Sequence, residues 1–272
     1  MNAKFKVFLC LSLAVVFSAA TATAGQYEKD IDKTFDFEKG ERFSLDNTNG
    51  RVTIEGWDRD KARITATKVV KARGSEEAEE LFEMIKIEFE ETSRGLRIKT
   101  RLPKSSDGGG FFSWIFDGDN RRQTRVDYDI KLPNGAEAVV ETVNGRIYLA
   151  DFEGEMRLET TNGGIEVENA SGDIEASSTN GRINVELVDV DNDPDIHIST
   201  TNGGIQLALP ASYRGRLDAR TTNGRLRSDI DVAAKLNRGW SRKTLNGEIG
   251  NGDGRCELRA VNGSISIRKS TS

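Results

Sequence analysis

The residue types that most often carry catalysis are scarce in this 272-residue sequence. It contains one histidine, His197, and two cysteines, Cys10 and Cys256. Triads of the Ser-His-Asp or Cys-His kind need a histidine beside the nucleophile, and most zinc sites need several His or Cys ligands. We therefore predict no catalytic residue, no metal site and no cofactor, with His197 on the surface and Cys256 as a buried, inert thiol.

Acidic residues are abundant enough to supply a catalytic pair, so a polysaccharide-active enzyme stays an alternative. The sequence has 44 Asp and Glu residues against 39 Lys and Arg. Acids and arginines are mixed at positions that we expect to face outward, which is typical of a solvated surface: Arg157, Glu159, Glu166, Glu168, Arg182 and Glu186. Residues 189–195 (DVDNDPD) look like half a calcium loop, but an EF-hand needs glycine at Pro194 and glutamate at Thr200.

One aromatic cluster lies in a glycine-rich segment. Residues 105–122 (SSDGGGFFSWIFDGDNRR) contain five large apolar side chains, at Phe111, Phe112, Trp114, Ile115 and Phe116. Aromatic side chains dominate binding energy at interfaces, and tryptophan favours the membrane interface. We predict that these five residues bind a partner or contact a membrane interface. The alternative is that they fold back and plug the open end of the first repeat.

The dipeptide Asn-Gly recurs in strings such as TVNGRI, TTNGGI, STNGRI and TLNGEI. Eight copies share one pattern, and we interpret their asparagines as structural corners: Asn49, Asn144, Asn162, Asn180, Asn202, Asn223, Asn246 and Asn262. Branched aliphatic residues follow each asparagine by three positions. Mostly apolar residues precede it by six and by four positions, with Arg242 out of place, and short residues precede it by two.

This spacing predicts a β-solenoid, in which the chain turns at each Asn-Gly. Positions two, four and six before the asparagine share one face of a strand, whereas the position three after has the opposite parity. A corner would point both sets inward, with glycine supplying a positive φ. Stacked coils would also place the asparagines in a hydrogen-bonded ladder. A series of β-hairpins is the alternative, because Asn-Gly favours tight hairpin turns.

The strings LDNTNGRVTIEGWDRD, VDYDIKLP, VETVNGRI and ETTNGG resemble the bacterial putative-adhesin family, a domain-of-unknown-function family of cell-envelope and surface proteins. The resemblance runs from Phe43 to the end of the chain. It implies a repetitive β fold and an envelope or surface location. It supplies no catalytic residues.

The N-terminal half differs from the repeats. Residues 1–24 have the basic start, apolar core and Ala-x-Ala ending of a signal peptide cleaved after Ala24, and cleavage makes the net charge of −5 more negative by removing Lys4 and Lys6. An acidic chain is a poor partner for nucleic acid. Residues 43–57 form one complete coil. A helix beginning near Ser75 and a hairpin at residues 93–95 indicate a β-rich cap around it.

The sequence thus predicts an all-β, single-chain solenoid in three parts: a signal peptide at 1–24, a β-rich cap with one short helix at 25–135, and solenoid repeats at 136–272. The function that we favour is a non-enzymatic, exported scaffold of the periplasm or cell surface that binds an envelope protein or a glycan. A self-assembling structural solenoid, formed when open ends stack, is a further alternative.

Overall fold

The computed structural model describes residues 25–102, 124–188, 194–230, 233–238 (backbone) and 243–270. The predicted signal peptide and the aromatic cluster lie outside these ranges. In chain order the elements are β1 (Gln26–Asp36), β2 (Arg42–Asn49), β3 (Val52–Trp57), β4 (Lys61–Lys71), α1 (Ser75–Met84), β5 (Lys86–Thr92), β6 (Gly95–Arg101), β7 (Thr124–Pro133), β8 (Ala136–Asn144), β9 (Ile147–Ala150), β10 (Gly154–Asn162), β11 (Ile165–Ala170), β12 (Ile174–Asn180), β13 (Ile183–Leu187), β14 (Ile196–Asn202), β15 (Ile205–Leu209), β16 (Gly215–Thr221), β17 (Leu226–Ser228), β18 (Ala233–Arg238), β19 (Lys243–Ile249), β20 (Gly254–Asn262) and β21 (Ile265–Lys269).

The described strands form two large sheets that face each other across one core. Sheet A has the order β1-β4-β7-β3-β9-β11-β13-β15-β21-β17, and sheet B has the order β18-β19-β16-β20-β14-β12-β10-β8-β2-β6-β5. Each coil contributes one strand to sheet B and the next strand to sheet A, with Asn-Gly between them. Neighbouring coils pair in parallel, so Ile165 lies opposite Ile183, and Ile183 opposite Ile205. The prediction of a β-solenoid is confirmed, and the hairpin alternative is wrong.

The core consists of the side chains that the parity argument points inward. On β12 and β13, for example, Ile174, Ala176, Ser178 and Ile183 are all buried, while the residues between them are more exposed. The same alternation recurs in the other coils, and Leu226, which is half-buried, is an exception. Stacking therefore joins apolar faces that no single coil buries by itself.

Chain order and spatial order differ at the C-terminal end. The last coil, β20–β21, lies between β14–β15 and β16–β17 rather than at the end of the stack. Its Cys256 pairs with Ile196 on one side and with Leu217 on the other. The last segment of the sequence is therefore an interior layer of the molecule.

Asn246 is a correction to the predicted corners. It lies within β19, which runs antiparallel to β16 and places Asn246 opposite Asp218. Antiparallel β18 follows on the other side of β19. The reason is visible in the sequence, because the inward position four residues earlier is Arg242, and a charged side chain is costly to bury in a solenoid core.

The N-terminal strands continue the same two sheets and form the outermost strands at one end of each sheet. Strands β6 and β7 pair in parallel with β2 and β3, one in each sheet, and form a further pair of strands at this end of the stack. Antiparallel β4 and β1 then extend sheet A, and antiparallel β5 extends sheet B. The hairpin predicted at residues 93–95 joins β5 to β6, which confirms that prediction.

Helix α1 covers one end of this N-terminal layer. It buries Ala78, Leu81 and Phe82, and it begins at Ser75, where the sequence predicts the start of a helix, with Gly74 as its N-cap. The Lys68 ammonium donates to the carbonyls of Phe82 (3.0 Å) and Ile85 (2.8 Å) at the other end of the helix. Burial lowers the pKa of Lys68, and Lys29 and Lys86 lower it further.

Because β20 pairs with both β14 and β16, we expect the fold to depend on the C-terminal coil β20–β21. A chain that ends at Gly250 lacks β20 and β21, which leaves β14 and β16 without their shared neighbour. We expect this variant to lose cooperative thermal unfolding in circular dichroism, whereas a chain that ends at Ser270 retains it. A solenoid stacked in chain order would lose only its last layer. A truncated protein with an unchanged melting temperature would contradict the intercalated arrangement.

Candidate functional site

The asparagines of the coils form a continuous ladder along one edge of the molecule. Within the described residues, seven of them are connected by six hydrogen bonds of 2.8–2.9 Å, each from Nδ2 of one asparagine to Oδ1 of the next. The bonds run from Asn144 to Asn49, Asn162 to Asn144, Asn180 to Asn162, Asn202 to Asn180, Asn262 to Asn202, and Asn223 to Asn262. At the end of the ladder, Asn49 donates to the carbonyl of Thr124 (3.3 Å). The amides all point in one direction along the stack.

A second set of hydrogen bonds lies just inside this edge. The hydroxyl two residues before the asparagine donates to the glycine carbonyl of the adjacent coil, as from Ser178 to Gly163 (2.9 Å) and from Thr200 to Gly181 (3.0 Å). Thr142 is an exception, because its buried hydroxyl has no partner. Ala260 is another, because it has no hydroxyl to offer Gly203. At four coils, with Thr160, Ser178, Thr200 and Thr221 as donors, a hydroxyl thus links the coil to its neighbour.

The corner glycines are needed for a different reason than the expected positive φ. Among the glycines that follow a ladder asparagine, only Gly50 has a left-handed φ, of 125°. A β-carbon on Gly181 would lie 1.7 Å from the carbonyl oxygen of Gly163, and one on Gly263 would lie 1.6 Å from that of Gly203. The prediction of a positive φ holds at Gly50 and is wrong at the other six ladder corners. Glycine is required because adjacent coils touch there.

The outer face of sheet B is lined by rows of aligned side chains. Three residues before the ladder asparagines, the row changes from acids through serines to arginines: Asp46, Glu141, Glu159, Ser177, Ser199, Arg259 and Arg220. One residue before them, the row is uncharged: Thr48, Val143, Thr161, Thr179, Thr201, Val261 and Thr222. Val143 and Val261 are 43% and 44% exposed, the large hydrophobics most open to solvent among the described residues.

Between these rows, on the outer face of sheet B, lies an open groove with a volume of about 420 Å³. Its floor is formed by the short hydroxyl side chains of β12 and β14, which are Ser177, Thr179, Ser199 and Thr201. Longer side chains form the two walls, with Glu159 on one side and Arg259 and Arg220 on the other. We call this set the serine groove. The intercalated coil supplies one of its walls, because Arg259 belongs to β20.

Acidic neighbours hold both arginines of the serine groove. Arg220 contacts the Asp218 carboxylate through Nε (2.8 Å) and Nη2, and Arg259 contacts Glu257 through Nη2. The hydrogen bonds that Arg220 donates to Asp218 raise the pKa of Arg220. Beside them, Nε2 of His197 lies 3.7 Å from the Glu257 carboxylate. The sequence predicts only that His197 lies on the surface. The structure adds that Glu257, from a coil 60 residues later in the chain, lies beside it.

The other residues singled out from the sequence fall in several places. Cys256 is buried, and burial raises the pKa of its thiol, which fits an inert residue. Asp195 lies at the second corner of its coil, where its carboxylate accepts the backbone N–H of Arg255 (3.0 Å), and its own N–H donates to Asp173 (2.9 Å). The rest of the acidic loop, 189–193, and the aromatic residues 111–116 lie outside the described residues, so partner binding by the aromatic cluster stays a prediction.

Two kinds of feature are absent from the described residues, a cluster of metal ligands and a helix long enough to span a membrane. No three His, Cys, Asp or Glu side chains there are close enough to share a metal ion. The one described helix is too short and too polar to cross a membrane.

The fold and the asparagine ladder together define the class of protein. It is a β-solenoid of two-strand coils that turn at Asn-Gly corners and are joined by a ladder of asparagine side chains. A family model described as Toastrack DUF4097 matches residues 41–268. The chain belongs to this family, which confirms the resemblance to the putative-adhesin proteins of unknown function. No curated protein matches.

Two solved structures are similar to the chain. One is a putative cell adhesion protein from Clostridium sporogenes ATCC 15579, with 14% identity and a TM-score of 0.43, covering 89% of this chain and 100% of that one. The other is a putative adhesin from Bacteroides fragilis NCTC 9343, with 9% identity and a TM-score of 0.31, covering 89% of this chain and 97% of that one.

The glycine contacts predict the effect of adding a single methyl group. Gly181→Ala places a β-carbon against the Gly163 carbonyl, and we expect it to lower the free energy of unfolding by about 1–3 kcal/mol, as for other overpacked sites. Gly74→Ala is the control, because no atom lies within 4 Å of the added carbon and the backbone there is extended. Urea denaturation measures both. Equal stability of the two variants would refute the contact argument.

The missing hydroxyl at Ala260 predicts a stabilising substitution. Ala260→Ser restores the donor that faces the glycine carbonyl of the adjacent coil elsewhere, and we expect a gain of about 0.5–1.5 kcal/mol. Ser178→Ala removes the same hydrogen bond from another coil and is expected to cost a similar amount. Thermal and urea unfolding of the two variants check the opposite signs. A destabilised Ala260→Ser protein would show that the position lacks room for the hydroxyl.

Proposed function

We propose that this protein is a non-enzymatic binding scaffold of the bacterial envelope or cell surface. The signal-like sequence of residues 1–24 supports export. The observation that carries the binding role is the outer face of sheet B, where exposed hydroxyl and amide groups stand in straight rows along the stack. Such a face offers many hydrogen-bonding groups in fixed positions, so a partner binds without a large cost in ordering the protein.

The rows owe their fixed geometry to the core and the ladder beneath them. Adjacent parallel strands hold equivalent side chains about 4.8 Å apart. Thr161, Thr179 and Thr201 are β-branched and have few rotamers, which further limits their movement. Their side chains present both a hydroxyl and a methyl group, so the face can contact polar and apolar parts of one ligand.

The ends of the stack favour a binding scaffold over a self-assembling solenoid. The outer strand of sheet A at the N-terminal end, β1, is paired antiparallel and carries exposed Glu28, Asp30 and Asp32. Charged side chains on an edge strand discourage another chain from pairing with it. At the other end, antiparallel β18 and β19 cover the edge of β16 in sheet B. Both features oppose the parallel stacking of one copy on another.

A binding experiment tests the proposal. The purified protein is mixed with isolated bacterial envelopes, and bound protein is measured after sedimentation. We expect saturable binding, and no release of soluble products detectable by mass spectrometry. Thr179→Lys with Thr201→Lys, which places two long charges on the outer face of sheet B, is expected to weaken binding by at least tenfold.

The matched control changes the opposite face of the stack. Gln206→Lys with Ser266→Lys adds the same charges to the outer face of sheet A, on the paired strands β15 and β21. Binding equal to that of the unaltered protein is expected for this control. An equal loss in both double variants would assign the effect to charge alone and refute the role of sheet B. Product release would favour an enzyme.

A further inference from the structure

The serine groove has the volume of a ligand site, and it is open along the outer face of sheet B. Its volume of about 420 Å³ lies within the range of about 300–1,000 Å³ found for ligand pockets. Glu159 on β10 and Arg259 on β20 stand three strands apart, which is about 14 Å at ordinary strand spacing. Between them Ser177 and Ser199 leave a low floor two strands wide.

The hydrogen-bonding groups of the groove match a ligand rich in hydroxyls. Each serine and threonine hydroxyl both donates and accepts, Glu159 accepts, and the guanidinium groups donate. Because Asp218 occupies Nε and Nη2 of Arg220, three of its five N–H groups are left for other partners. A sugar hydroxyl also donates and accepts at once, so it can pair with any wall of this groove.

The charges around the groove oppose an ionic ligand. Arg220 and Arg259 are each held by a carboxylate of their own strand, and Glu159 faces them from the other wall. The local charges therefore nearly cancel, with a slight negative excess. The whole chain is also acidic, with a net charge of −5. A polyanion would meet repulsion at Glu159 and little compensating attraction.

The regular spacing of the floor favours a repeating ligand over a single small molecule. Equivalent hydroxyls on β12 and β14 recur from strand to strand, and the methyl groups of Thr179 and Thr201 lie beside them. The C–H faces of a sugar ring pack against such methyl groups while its hydroxyls reach the serines. A chain of sugars can make this pair of contacts on each of the two floor strands, with one ring on β12 and the next on β14.

We propose that the serine groove binds a neutral polysaccharide, with Ser177 and Ser199 hydrogen-bonding its hydroxyls and Glu159 and Arg259 bounding the bound segment. This inference rests on the proposed binding function and names its ligand class. The site is complete only in the folded chain, because β20 must enter between β14 and β16 to bring Arg259 beside Ser199.

Titration calorimetry with defined oligosaccharides tests the ligand class. The probes are cellohexaose, mannohexaose and xylohexaose as neutral chains, and hexagalacturonate as an anionic chain, each at low and high salt. We expect at least one neutral chain to bind with an affinity that salt does not change, and hexagalacturonate not to bind. Binding of hexagalacturonate alone, weakened by salt, would overturn the proposal.

Substitutions in the groove locate the binding. Ser177→Val with Ser199→Val removes both floor hydroxyls, and valine suits an exposed strand position, so the fold is retained. We expect affinity for the neutral chain to fall by about tenfold or more, because both floor hydroxyls are lost as hydrogen-bonding partners. The matched control, Ser44→Val with Thr48→Val, likewise replaces two hydroxyl side chains with valine, on β2 outside the groove, and is expected to bind normally.

The two proposals fail in different ways. If none of the neutral chains binds, or if the groove variant binds as well as the control, the inference about the serine groove is wrong. Envelope binding that is still lost in Thr179→Lys with Thr201→Lys would leave the scaffold function standing. Loss of neither activity in any variant of sheet B would refute both proposals.

Discussion

Adjacent coils of this protein approach each other most closely at the glycines of their Asn-Gly corners. The carbonyl oxygen of one glycine occupies the place that a side chain of the next would need, at 1.6–2.0 Å from the β-carbon position at six of these corners. This approach brings the asparagine amides within hydrogen-bonding distance and lets the inner hydroxyls reach the glycine carbonyls. The rest of the stack depends on it, because it fixes both the distance and the register between coils.

Register is what converts a repeated sequence into a common core and a patterned surface. With residues of successive coils directly opposite each other, the inward aliphatic residues form continuous rows that exclude water. The outward residues are aligned by the same register, so serines, threonines and charges form lines rather than a random surface. A shift by one residue would exchange the two sets.

The intercalated C-terminal coil adds a feature that repetition alone does not produce. Its strand β20 pairs with both β14 and β16, and it places Arg259 next to Ser199 in the serine groove. It also sets Glu257 beside His197. The candidate site is therefore built from coils that are distant in the sequence, and its composition depends on the order in which the coils stack.

The sequence by itself determined the local elements. Period-two alternation, the parity change at Asn-Gly and the short residues before it predicted the strands, the corners and the inward side chains, because these depend on backbone geometry within a few residues. Arg242 even marked the copy at Asn246 that does not turn. The sequence could not show why each corner needs glycine, because the reason is close contact with the adjacent coil rather than the φ angle of the glycine itself. The stacking order was also out of reach, because the repeats are so alike that β20 pairs with β14 as readily as β16 would. Only the tertiary structure decided which coils are neighbours, and with it which side chains meet in the serine groove.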